Sequence, residues 1–201
     1  MTRSRAILLA TLCVAFAATP VRAYVEPLHR KITGHAYDRA ASETDFLKRY
    51  QLTPISLVLR ADMQYGAVHE DDVPRSVNHF FDFQNGVGLK EPLPGPIAIP
   101  ICNELGVRAD SWALDNHILN QYSLYQAQNH FYLALTEATP SGRDLWMRRT
   151  FEDLGHIVHL LQDMAQPEHT RNDQHLLLAG YGFSFGDTAA SLYENWSRDR
   201  L

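Results

Sequence analysis

The chain has 201 residues, 45% of them hydrophobic, with 18 Lys and Arg against 23 Asp and Glu and a net charge of −5 when histidine is neutral. That size and composition suit one domain able to bury a core. The acidity excludes a protein held on nucleic acid by a broad basic face, although phosphate esters stay accessible if metal ions supply positive charge locally.

The N-terminus reads as a secretory signal: Arg3 and Arg5, an apolar run from Ala6 to Ala18, and Val21-Arg22-Ala23 ending on a small residue. The run is too short to span a bilayer comfortably as a mature helix. Cleavage after Ala23, with Ala18 as a competing position, predicts a secreted protein, extracellular or periplasmic, whose first residue is Tyr24. Removing residues 1–23 deletes three arginines and no acids, leaving 15 basic and 23 acidic residues, net −8. Cys13 leaves with the signal and is no lipoprotein cysteine, because Leu12 precedes it. Cys102 then stands alone, so no internal disulfide is expected. Stability has to come from the core and from metal.

In chain order, Tyr24 to Tyr50 reads as a helix after a short lead, with Ile32, Ala36, Ala40 and Phe46 on its apolar side. Pro54 to Gln64 predicts a second helix that buries Ile55, Leu57, Val58 and Leu59, with Gly66 beyond its end. Glu70 to Gln84, acidic, then aromatic, and broken by Pro74, reads as a loop with functional content. Gly86 to Pro100, dense in glycine and proline, is a non-helical excursion. Asp110 to Ala138 resumes helix, with Trp112, Leu114, Ile118, Tyr122, Tyr125 and Phe131 on the apolar face. Pro140-Ser141-Gly142 makes a turn, and Ser141 caps a helix running from about Arg143 to Ala165. A polar segment, a Gly-rich patch from Gly180 to Gly186 and a final helix from Thr188 complete the chain. No strand-like alternation and no repeats appear, so the fold class is all-α.

The central stretch is Gly155 to His169, GHIVHLLQDMAQPEH. His159 and Asp163 are four apart and share one helix face, and His156 lies three before His159. Pro167 ends the helix because it cannot donate an i→i−4 bond. His169 then follows the helix end, where a bend brings its ring back towards Asp163. Imidazole and carboxylate one turn apart, with a second imidazole just beyond, is an arrangement that suits zinc. Three other places repeat this chemistry. A free amine and carbonyl at Tyr24 could chelate a metal with His29. Glu70-Asp71-Asp72 precedes His79, which Phe80, Phe81 and Asp82 follow. Glu194 lies on the final helix. His35, His117 and His130 read as structural or surface histidines, while His69 and His175 stay open.

Together these residues resemble the superfamily of zinc-dependent phospholipases C and single-strand-specific zinc nucleases. His159-x3-Asp163-x5-His169 matches its helix motif at every spacing. Asn78-His79-Phe80 is similar to its His–Phe element, Asp71 to its upstream acid, and Tyr24 with His29 to its N-terminal clamp. The resemblance implies a single multi-helix domain over residues 24–201 with a cluster of up to three zinc ions. One ion would take Asp71, His79, His159 and Asp163. A second would take the Tyr24 amine and carbonyl, His29 and the shared Asp163, and a third His169 and Glu194. Asp71 would double as general base, and Phe80 and Phe81 would line the substrate site.

Two departures stand out. Ala190 occupies the place of a histidine four residues before Glu194, which leaves the third ion short of a ligand. The chain also stops seven residues after Glu194, where family members continue, as a truncated member would. The implied function is a secreted phosphodiester hydrolase, first a phospholipase C that touches membrane surfaces peripherally. The alternatives are a single-strand nuclease, where Phe80 or Phe81 would stack a base, and an inactive zinc-binding relic.

Overall fold

The computed structural model describes residues 26–72, 75–89 and 106–171, with Trp196 and Arg200. Within them run seven α-helices: α1 (Glu26–Glu43), α2 (Phe46–Arg49), α3 (Ser56–His69), α4 (Ala109–Leu114), α5 (Leu124–Thr136), α6 (Pro140–Asp163) and α7 (Pro167–Thr170). Two 3-10 turns, Thr53–Ile55 and Arg75–Asn78, lead into α3 and follow it. The fold is all-α as expected, and among the described residues the one extended pairing is an isolated bridge between Asp82 and Val87. The expected signal segment, Tyr24, Cys102, His175, the Gly180–Gly186 patch and the expected final helix with Ala190 and Glu194 lie outside the described residues.

Helix α6 is the axis of the molecule. Thr139 caps its N-terminus, accepting a hydrogen bond from Gly142 N at 3.2 Å, and Pro140 takes the first helical position, where its missing N–H costs nothing. The cap is therefore Thr139 rather than Ser141, and the helix starts three residues earlier than expected. Its inward stripe runs Met147, Thr150, Asp153, His156, His159, Leu160 and Asp163. The first turns bury apolar atoms and the last turns bury titratable ones. Met147 joins Tyr37, Leu52, Leu59, Met63 and Ala134 in the main hydrophobic cluster.

The main packing partner of α6 is α3, with α5 on another side and α1 against α3. Glycine decides how closely α3 and α6 approach. A Cβ on Gly155 would lie 2.0 Å from the carbonyl oxygen of Met63, and one on Gly66 would lie 2.1 Å from that of Glu152. The two backbones touch there, as only residues without side chains permit. Gly66 is thus an interior helix residue and not a terminator, and α3 runs on to His69.

Several expected faces are rotated or interrupted. In α3, Leu59, Met63, Gly66 and Ala67 face inward while Leu57 is 81% exposed. In α1 the buried side is Leu28, His29, Thr33 and Tyr37, with Ile32 turned outward. The helix expected over Asp110 to Ala138 breaks between Leu114 and Leu124, leaving Ile118 in solvent. The Asn120 side chain takes over the backbone's role at this break. Its Nδ2 donates to Trp112 O, and its Oδ1 accepts from Tyr122 N.

Candidate metal centre

The C-terminal half of α6 carries His156, His159 and Asp163 on one side. The helix ends at Asp163, four residues before Pro167, which opens the single turn of α7 instead of closing α6. His169 lies on that turn. The segment after η2 (Arg75–Asn78) is stitched across it, with Phe81 N donating to His169 O at 3.0 Å and Ala109 N to Phe80 O at 3.1 Å. These bonds carry His79 to the end of α6. From the opposite side α1 delivers His29, and the end of α3 delivers Asp71.

The structure therefore brings together His29, Asp71, His79, His159, Asp163 and His169, each at most 5% exposed. His79 Nδ1 stands 2.7 Å from Asp163 Oδ2, and His159 Nε2 stands 3.2 Å from the same oxygen. His29 Nε2 is 3.5 Å from Asp163 Oδ1, and His169 Nδ1 is 3.6 Å from Oδ2. Asp71 Oδ1 lies 3.4 Å from His159 Nε2 and 3.6 Å from His79 Nδ1. The rings of His29 and His159 stack at 3.7 Å.

Hydrogen bonds at the other ring nitrogens fix the tautomers. His159 Nδ1 donates to Ala67 O at 2.5 Å, His79 Nε2 to Glu70 O at 3.2 Å and His169 Nδ1 to His79 O at 2.9 Å. His29 Nδ1 donates to Gln162 Oε1 at 2.6 Å, whose amide in turn donates to Thr33 Oγ1. Each proton is held on the anchored nitrogen, so the other nitrogen is the ring's electron-pair donor. That is how a protein prepares histidines for a metal. The electron pairs of His79 Nδ1 and His159 Nε2 thus stand 3.3 Å apart, beside two carboxylates. With the histidines in these neutral tautomers, neither Asp163 oxygen receives a hydrogen bond, nor does Asp71 Oδ1. Buried acceptors converging without donors require protons or a cation between them.

The titration behaviour has the same origin. Burial lowers the His79 pKa, but Asp163, by contact and by charge, lifts it to about 9. His159 is likewise raised against burial, by Asp71 first and then Asp163. Burial raises both carboxyls, yet the surrounding histidines hold Asp163 and Asp71 below the usual carboxylate range. His29 goes the other way, as burial and then the charge on His159 lower it to about 3. In the metal-free cluster, protons on His79 and His159 offset the two carboxylates, and a divalent cation would displace them.

The ligand atoms of His29, Asp71 and His159, and those of His79, His159 and Asp163, each form a group within 4.8 Å that could hold a metal ion. Asp163 faces both groups, one oxygen to each. Phe80 is buried at 1% exposure with its ring 4.8 Å from His169 and nearly parallel to it, whereas Phe81 is half-buried under the Arg108 guanidinium at 4.5 Å. Tyr24 and Glu194 lie outside the described residues.

Sequence reasoning passed over the supports. Gln162 holds His29, and its place one residue before Asp163 was the only signal the sequence offered. His156 is buried but faces Glu70, not the cluster. The remaining histidines take other roles: His69 pairs with Asp72 at the surface, His117 packs against Trp112, and His130 pairs with Asp153.

No family model, no curated protein and no solved structure matches the chain. What fold and site define is an all-α protein with a buried histidine–aspartate centre able to hold a metal ion.

Proposed function

We propose that this protein is a zinc-dependent phosphodiester hydrolase, of the phospholipase C type. The observation that carries the reading is the convergence of His79, His159 and Asp163, and of His29, Asp71 and His159, into two buried groups whose ligand atoms lie within 4.8 Å of one another. An all-nitrogen-and-oxygen donor set of imidazoles and carboxylates suits zinc. His29, Asp71, His79, His159 and Asp163 would hold the ions, with His169 beside them. Bound zinc lowers the pKa of a coordinated water towards about 7 and offsets charge on phosphoryl oxygens.

The chain's own residues supply the rest. Asp71 is held ionised among histidines, so its carboxylate can accept a hydrogen bond from a water and orient it at neutral pH. Asp163 fixes the spacing of the two groups by presenting one oxygen to each. Phe80 props the His169 ring. Phe81, half-buried beneath a cation, is the aromatic that a substrate can reach.

The test is to purify the full chain, count bound zinc by elemental analysis, and compare it with Asp163→Asn. Two or more zinc ions in the wild type and a sharp loss in the variant are expected. Release of phosphorylated head group from phosphatidylcholine should exceed cleavage of single-stranded DNA. The reverse order would make the protein a nuclease, zinc without either activity a binding relic, and no zinc in a folded chain would sink the reading.

A further inference from the structure

We propose that Glu70 is a positioning residue of the metal centre, a buried anchor that fixes the Glu70–Asp71 peptide. The Glu70 carbonyl thereby orients His79, and the Asp71 carboxylate next in the chain faces the cluster. The inference rests on the metal-centre reading above.

Glu70 is 0% exposed and its carboxylate is saturated with donors. Oε2 accepts from Arg75 Nε at 2.7 Å, Arg75 Nη2 at 2.5 Å and His156 Nδ1 at 2.5 Å. Oε1 accepts from Trp112 Nε1 at 2.9 Å. The donors come from η2 (Arg75), α4 (Trp112) and α6 (His156), so one side chain ties three elements to the end of α3. The donors are themselves held. Arg75 Nη2 reaches Asn120 Oδ1 at 3.0 Å, and its guanidinium lies over Tyr122 and Trp112. The His156 ring is stacked by Tyr122 at 4.0 Å.

Two adjacent acids therefore divide the work. Glu70 is fully engaged on the protein side, and its main-chain carbonyl receives His79 Nε2. Asp71, one peptide further, has an oxygen without a donor beside His159. With Glu70 clamped from three sides, the peptide plane that carries both functions cannot rotate. Partners of this kind change metal affinity by about 10- to 100-fold when removed.

Glu70→Gln and Trp112→Phe should be compared with wild type and Asp163→Asn in the full chain. Zinc affinity would be read by competition with a chromophoric chelator, and ligand geometry from the visible spectrum of the cobalt(II) form. Zinc affinity should fall about tenfold or more in Glu70→Gln and several-fold in Trp112→Phe, with a changed cobalt spectrum in both. Trp112→Phe removes the indole donor to Glu70 Oε1 and part of the ring beneath Arg75 while leaving the Glu70 carboxylate in place, and it decides the matter if Glu70→Gln does not fold. Wild-type affinity and spectrum in the anchor variants, even with lower melting temperatures, would overturn the proposal while leaving the metal centre intact if Asp163→Asn loses zinc. A wild type that binds neither metal would overturn both.

Discussion

Asp153 illustrates how burial rewrites a single residue's chemistry. It lies on the inward stripe of α6, 1% exposed, and burial first and then the neighbouring Glu152 charge raise its pKa to about 8. Its partner His130, 2.7 Å away across the α5–α6 contact, is lowered by burial and by Arg149. The pair is therefore a neutral carboxylic acid bonded to a neutral imidazole at pH 7, with the charges of Arg149 and then Arg75 opposing the rise of Asp153. A carboxyl whose folded pKa exceeds its unfolded value binds more protons in the native state. Its contribution is fully present below about pH 4 and is lost as pH rises towards 8. Asp153→Asn keeps a donor for His130 but cannot titrate. In urea titrations it should match wild type at pH 4 and exceed it by about 1–2 kcal/mol at pH 9. An equal difference at both pH values would refute the assignment. Spacing alone could not separate His130, a partner of a buried acid, from His35 on an exposed surface, because burial is set by which helix lies opposite.

At the scale of elements, the crossing of α3 and α6 sets the site. Gly66 and Gly155 let the backbones touch, and that contact brings Ala67 O within 2.5 Å of His159 Nδ1 and Glu70 within reach of His156. In Gly155→Ala the new methyl group meets backbone, which cannot move aside as a flexible side chain would. The helices must separate, at a cost of about 1–3 kcal/mol. Zinc binding should fall with it, because His159 loses its carbonyl anchor. Thermal melting and chelator competition would check both, and a variant that melts lower yet binds zinc normally would uncouple the crossing from the site. The sequence showed a glycine inside the helical pattern at position 155. It could not show that the glycine at 66 sits opposite, since that is a fact about two segments about 90 positions apart.

Across the whole molecule, the candidate metal centre is the meeting point of α1, the end of α3, the His79 segment, α6 and α7. Candidate ligands drawn from five places have no preformed site in the unfolded chain, so a metal bound there would add to folding stability. Saturation at 100 times the dissociation constant adds about 2.7 kcal/mol, which for a chain of this size raises the melting temperature by about 5–10 °C. Scanning calorimetry with and without a chelator should show that difference in the wild type and not in Asp163→Asn. An identical melting temperature with and without chelator would mean that the cluster is closed by protons alone. No described helix is long and apolar enough to cross a membrane.

The all-α class was legible because helical periodicity, capping signals and the lack of alternation are local properties, written in consecutive residues. The closeness of His159, Asp163 and His169 was legible for the same reason: three residues within eleven positions on one helix and the turn after it declare themselves by spacing. The tertiary structure decided what spacing cannot reach. It buried Glu70 among Arg75, Trp112 and His156 and so turned His156 to a supporting role. It ended α6 at Asp163 and set His29 against His159 across the interior. Those choices depend on which side chains fill each other's hydrogen-bonding capacity when distant segments pack, and a buried polar atom finds its partner only after the chain has closed around it.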